Sequence, residues 1–110
     1  MLDASDAAVQ RLSKVIFGQV HRLAVMVGIA HSDGIVNPGE LAATLGFAAQ
    51  SSVQGPLRDL EAAGLISRLP NSGGKTFYRR NTSLVWDWVQ QLETSFNSVS
   101  RETRLDAPRP

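Results

Sequence analysis

The sequence predicts a mainly α-helical domain with a small β-hairpin, an α+β fold. Between residues 40 and 64, apolar residues recur at helical spacing in two short blocks that are separated by a turn. From residue 65 to residue 80, two strand-like segments flank Asn71, Gly73 and Gly74, which are residue types that favour tight turns. Longer helical patterns on both sides of this central region complete the prediction.

The first of the two central helices is predicted from apolar residues that share one helical face, namely Leu41, Ala42 and Leu45. Gly46 is expected to end this helix, because a residue without Cβ adopts the left-handed cap conformation at little cost. Asn37 is the candidate N-cap, with Pro38 at the first helical position.

The second central helix is predicted from an apolar stripe at spacing i, i+4 and i+7, formed by Val53, Leu57 and Leu60. Ser51 and Gln54 are a candidate capping box at its start, and Gly64 is expected to end it. Pro56 lies inside the helix. It either kinks the helix by removing a hydrogen bond or is tolerated because it falls near the first turn.

Helices are also predicted on both sides of this region. Residues 5–16 and 19–30 show helical apolar spacing, and the second segment is apolar nearly all round, which is typical of a buried helix. Ile35 and Val36 are predicted to form a short strand against the hairpin. A last helix follows residues 81–83, and its apolar spacing ends at Val99. We therefore expect one domain over residues 1–99 and a disordered tail over residues 100–110.

Composition narrows the class of protein. The 110 residues have room for one modest core, and their net charge is +1. Positive charge is mildly concentrated in residues 35–80, which hold five basic and three acidic residues. The lack of cysteine excludes disulfides and thiolate metal sites and fits a cytoplasmic protein. No signal peptide is expected, and the apolar run 23–30 is too short to cross a bilayer.

No arrangement typical of catalysis is present, so we expect neither an enzyme nor a cofactor. Residues 72–75 read Ser-Gly-Gly-Lys, but they lie between two predicted strands rather than before a helix, where a phosphate loop would be. His21, His31 and Asp33 could in principle share a metal ion. We favour ordinary helix-end or surface roles for both histidines and expect no metal.

The central region resembles the winged helix-turn-helix family of bacterial transcription regulators, in particular the ArsR and MarR types. The resemblance rests on Glu40-Leu41-Ala42 with Leu45-Gly46, and on Val53, Leu57, Leu60-Glu61 and Gly64-Leu65-Ile66. It covers about forty residues closely and implies that the second central helix is a recognition helix and that the hairpin is a wing.

The resemblance and the residue types together predict an interface with double-stranded DNA. The second helix carries small or hydrogen-bonding residues opposite its apolar stripe: Gln50, Ser51, Ser52, Gln54, Gly55 and Arg58. Glutamine, serine and arginine can bond to base edges in the major groove. The hairpin supplies cations that can neutralise phosphates: Arg68, Lys75, Arg79 and Arg80.

A homodimer is predicted from the apolar surface of the long helices, which exceeds what one small domain covers. The predicted interface residues are Val20, Leu23, Val27, Val85, Trp88, Leu92 and Phe96. Trp86 and Trp88 could instead form an aromatic ligand site, but packing in the core or at the dimer interface is the favoured interpretation.

The predicted function is therefore a sequence-specific DNA-binding transcriptional repressor that acts as a homodimer. The sequence leaves two other classes of function open. One is a winged-helix module that binds a protein, which an apolar rather than basic recognition face would favour. The other is a small-molecule sensor without metal, whose pocket would lie between the long helices.

Overall fold

The computed structural model describes residues 2–71 and 73–105, and in these residues five helices and three short strands are present. Their order is α1 (Ala7–Phe17), α2 (Arg22–His31), β1 (Ile35–Val36), α3 (Pro38–Leu45), α4 (Ser51–Ala62), β2 (Ile66–Arg68), β3 (Tyr78–Arg80) and α5 (Leu84–Leu105). The predicted α+β class is confirmed, and so is the predicted order of helices, turn and hairpin.

Helix α1 is bounded by a cap at each end. The Asp6 side chain accepts a hydrogen bond from the Ala8 amide at 2.8 Å, and Gly18 ends the helix with φ at 73°. Helix α2 then starts at Arg22, and the two helices are bent by 98° relative to each other. In the described part of the chain, no helix taken singly combines the length and the apolarity needed to cross a membrane.

Helix α2 is the centre of the core. Residues 23–29 are all buried, and the helix packs against α1, α3, α4 and α5. The prediction of a buried helix is thus confirmed. The other helices of the same chain cover it, so its apolar surface does not need a second subunit.

The three strands form an antiparallel sheet in the order β1-β3-β2, which confirms the predicted short strand at residues 35–36. Tyr78 in the central strand pairs with Val36 on one side and Arg68 on the other. Because side chains alternate along a strand, these three lie on one face of the sheet. Arg79 and its cross-strand partners Ile35 and Ser67 lie on the opposite face.

Helices α3 and α4 are joined by a turn at residues 46–50. The Asn37 side chain caps α3 by accepting from the Glu40 amide at 3.1 Å, and Gly46 ends α3 with φ at 80°, both as predicted. The predicted capping box of Ser51 and Gln54 is wrong, because the residue before α4 is Gln50, which has helical backbone angles and makes no side-chain cap. The backbone already turns at residues 49–50, so no side chain closes the helix start.

Pro56 is a core residue of α4. The helix continues past it to Ala62, and Pro56 is buried together with Val53, Leu57 and Leu60. The loss of its amide donor is therefore tolerated in the second turn, where its ring adds apolar surface to the predicted stripe. Gly64, with φ at 79°, follows the helix end as predicted.

Helix α5 begins after Ser83, whose hydroxyl accepts from the Val85 amide at 3.1 Å. Trp86 is buried at its first turn, and the indole Nε1 donates to the carbonyl of Asn81 at 2.8 Å. The helix runs to Leu105, past Val99, where the sequence predicted the end of the folded part. Residues 106–110 of the predicted tail lie outside the described residues.

Candidate nucleic-acid interface

Helix α4 presents a polar side to solvent because its apolar stripe is buried. Gln50, Ser51 and Arg58 are exposed, while Ser52, Gln54 and Gly55 are half-buried. A Cβ atom placed on Gly55 would have no neighbour within 4 Å, so the backbone there is open to close approach by another molecule. All six residues predicted on this helix are therefore at or near the surface.

A polar cleft of about 370 Å³ separates the start of α4 from the β2–β3 hairpin, and we call it the α4–hairpin cleft. Its lining consists of Asn37, Pro38, Gln50, Gln54, Arg68, Gly74, Lys75, Thr76 and Tyr78. Four of the predicted DNA-binding residues thus meet in one concave site, where the carboxamides of Gln50, just before α4, and Gln54, within it, line the same cleft as two cations from the hairpin. This combination provides hydrogen-bond donors and acceptors beside positive charge, which suits a polyanion with polar edges.

Asn37, which lines this cleft, joins α3 to the hairpin. Its Oδ1 atom accepts from the Glu40 amide, and its Nδ2 atom donates to the Thr76 carbonyl at 2.9 Å. One side chain therefore caps α3 and fixes the position of the hairpin segment that leads into β3. The sequence indicated the cap but not the second bond, because its two residues are 39 positions apart.

The other two hairpin arginines lie outside the cleft. Arg79 is exposed on the opposite face of the sheet from Arg68, so the two cannot line the same groove wall. The prediction that Arg80 faces DNA needs correction. Its Nη1 atom donates to the carbonyls of Ile29, Ala30 and Ser32, so the guanidinium caps the end of α2.

The predicted dimer residues fall into three groups by their burial. Leu23 and Val27 are 0% exposed, so the prediction that they form a dimer interface is wrong: α2 is enclosed by its own chain. Val85, Leu92 and Phe96 are half-buried against the core. Trp88 remains 43% exposed, and its ring meets the edge of Phe17 with 5.8 Å between centroids.

Most of the exposed large apolar residues in the described part of the chain lie on α1, on the loop after it and on α5, and Ile35 on β1 is exposed as well. We call the set Val15, Ile16, Val20, Leu84 and Trp88 the α1–α5 apolar surface. Val15 and Ile16 were missed as interface candidates, because the sequence used them only as part of the helical spacing of residues 5–16. Only the packing of α1 against α2 shows which of its apolar residues are turned outwards.

The histidines have separate partners. His31 Nε2 lies 2.6 Å from Glu93 Oε1, His21 packs edge-on against Phe47, and Asp33 accepts from the Ile35 amide. Among the described residues, no three His, Cys, Asp or Glu side chains are grouped to hold a metal ion.

A smaller cleft of about 200 Å³ lies between α2, β1 and α3, and His31 and Glu40 are among its lining residues.

Solved structures share this architecture. A MarR-family transcription regulator superposes with a TM-score of 0.64 at 21% identity, over 87% of this chain and 65% of that one. A transcriptional regulator from Pseudomonas aeruginosa gives 0.58 at 22% identity, over 93% and 70%. MepR, a transcription regulator of the Staphylococcus aureus multidrug efflux pump MepA, gives 0.59 at 19%, over 93% and 73%.

These similarities establish the fold of the chain. It has the winged helix-turn-helix fold found in MarR-type regulators, with α3 and α4 as the helix-turn-helix and the β2–β3 hairpin as the wing. The chain spans less than two thirds of the length of the first of these proteins. No family model matches the sequence, and no curated protein matches it either.

Proposed function

We propose that this chain is a DNA-binding transcription regulator that binds double-stranded DNA as a homodimer. The observation that carries the proposal is the α4–hairpin cleft, where Gln50 and Gln54 face Arg68 and Lys75. Buried apolar residues fix α4 from behind, so its polar side projects from a rigid support. A helix held in this way can enter the major groove, which is wide enough to admit it.

The residues of the interface divide into reading and positioning roles. Gln54 and Gln50 can bond to adenine, and Ser51 and Ser52 to several base edges, because their side chains both donate and accept. Arg68 and Lys75 neutralise phosphates beside the helix and set its position on the duplex. Two further exposed cations, Arg58 on α4 and Arg79 on the hairpin, are available for more distant phosphates.

The α1–α5 apolar surface supplies the dimer contact in this proposal. Trp88, Val15 and Val20 are exposed, and they provide apolar surface on one protomer that a second copy of the chain can cover. A two-fold dimer presents two α4 helices, so the preferred site contains two inverted half-sites. Their centres lie about 34 Å apart, one helical turn of DNA.

The dimer represses transcription by occupying a promoter, as a cytoplasmic protein that carries out no chemical reaction. This part of the proposal rests on the resemblance to bacterial regulators and on the residue types found in the cleft. The structural neighbours are described as transcription regulators, which supports the same class of activity.

Selection from a random-sequence duplex library, followed by footprinting, tests the proposal. We expect the selected sequences to share an inverted repeat and the footprint to cover two half-sites on one face of the duplex. A selected motif without two-fold symmetry, or protection over a single half-site length, would contradict the dimeric arrangement. Failure to enrich any sequence would contradict DNA recognition itself and favour a protein-binding module.

A further inference from the structure

Hydrogen bonds from a buried side chain hold the bend between α1 and α2 in place. Ser13 is fully buried, and its hydroxyl accepts from the Leu23 amide at 3.0 Å while donating to the carbonyl of Gln19. Gly18 provides the left-handed residue at which α1 stops. These contacts hold α1 at a defined angle to α2, which is the central helix of the core.

Arg22, the first residue of α2, connects the bend between α1 and α2 to helix α4. Its Nη1 atom donates to the carbonyl of Phe17 at the end of α1, at 3.2 Å. Its Nη2 atom lies 2.6 Å from Oδ2 of Asp59 on α4. The arginine side chain is only 26% exposed, so the guanidinium is held between the two helices rather than extended into solvent.

Phe17 continues the connection to α5. Its ring meets Trp88 at 5.8 Å with the ring planes at 77°, an edge-to-face contact. Trp88 belongs to the α1–α5 apolar surface. A continuous series of contacts thus runs from Trp88 through Phe17 and Arg22 to Asp59, and it joins the proposed dimer surface to the proposed recognition helix.

We propose that the Arg22–Asp59 pair is a positioning contact that sets the spacing between the two DNA half-sites. The proposal rests on the proposed function. In a two-fold dimer, a rotation of α4 relative to the dimer surface moves both α4 helices in opposite senses, so small changes alter their separation. The planar guanidinium resists such rotation because one end of it is bonded to Phe17 and the other to Asp59.

The experiment measures binding of the full chain to duplexes in which the spacer between the selected half-sites is varied one base pair at a time. Asp59→Asn and Arg22→Gln each break the pair. Glu61→Gln is the matched control, since it removes the same charge from another exposed position of α4. Thermal melting of each variant shows that it is folded.

We expect Asp59→Asn to reduce the preference for the best spacing over its neighbours by about two- to fivefold, the range that exposed ion pairs support. Arg22→Gln should do the same, and the double variant should lose no more than either single variant, because both changes remove one contact. Glu61→Gln should keep the spacing preference of the unmodified chain even if its overall affinity rises.

Three results would overturn the inference. An unchanged spacing preference in Asp59→Asn, while the unmodified chain shows a clear one, removes the positioning role and leaves the proposed function intact. Equal changes in Asp59→Asn and Glu61→Gln reduce the effect to charge alone. Absence of DNA binding by the unmodified chain removes the proposed function and this inference together.

Discussion

The Nη1 atom of Arg80, in the central strand, lies 2.8 Å from the carbonyl oxygen of Ile29 near the end of α2. The same atom also reaches the carbonyls of Ala30 and Ser32. The last carbonyls of a helix have no partner within the helix, and one cation here donates to two of them and to the carbonyl of Ser32 just after the helix. The sheet is thereby fastened to the central helix by a residue that the sequence grouped with the DNA-binding cations.

Arg80→Ala should therefore destabilise the fold. Hydrogen bonds from a charged donor contribute about 1.5–3 kcal/mol, and the substitution leaves the α2 carbonyls without this donor. Arg79→Ala is the control, because Arg79 is exposed on the other face of the sheet and should change stability by less than about 0.5 kcal/mol. Urea denaturation measures both, and equal losses in the two variants would refute the capping role.

Arg68→Ala and Lys75→Ala should weaken DNA binding without changing sequence preference. Each removes a cation that we place on a phosphate, and a phosphate contact contributes equally to every sequence. The slope of log affinity against log salt concentration is negative, and we expect its magnitude to decrease by about one for each variant protomer, so that the line becomes shallower. Fluorescence anisotropy on selected and random duplexes measures this slope. An unchanged slope would show that these side chains do not contact phosphates.

Gln54→Ala should have the complementary effect. If the carboxamide bonds to a base edge, its loss relaxes the preference at one position of each half-site, by about 1–3 kcal/mol for a two-bonded pair. Binding to random duplexes should change little. The measurement compares affinities for duplexes substituted at each position, and an equal loss on all of them would show that Gln54 does not face a base.

Trp88→Asp should weaken the dimer. The exposed part of the indole lies on the α1–α5 apolar surface, and a carboxylate there would have to lose water in the interface. Gln91→Asp, also on α5 and exposed, introduces the same charge and serves as the control. Analytical ultracentrifugation over a concentration series should show a larger dissociation constant for Trp88→Asp only. A monomeric unmodified chain at micromolar concentration would contradict the dimer.

Local signals predicted most of the fold. Gly46, Gly64 and Asn37 stand where a left-handed residue or a cap is required, and the spacing of Val53, Leu57 and Leu60 identified the buried side of α4. These features depend on neighbours within a few positions of the chain. For the same reason the first turn of α4 was mispredicted: Ser51 and Gln54 have capping-box spacing, but the backbone begins to turn before them.

Contacts between segments that are far apart in the chain could not be predicted from the sequence. Arg80 and Arg68 are both hairpin cations, and only the register of the sheet and the position of α2 show that Arg80 is engaged. Leu23 and Val20 share an apolar helical pattern, yet α2 begins only at Arg22, so Leu23 is buried within the helix while Val20 lies in the loop before it and stays exposed. The sequence therefore identified candidate residues by type, while the tertiary structure divided them between core, caps and cleft.

The central claim is that the α4–hairpin cleft binds double-stranded DNA. Its most direct test is the affinity of the full chain for the selected duplex and for random duplex across a range of salt concentrations. We predict tighter binding to the selected duplex at every salt concentration, and a linear fall of log affinity with log salt that becomes shallower in Lys75→Ala. Equal affinity for both duplexes, or no binding to either at low salt, would contradict the claim.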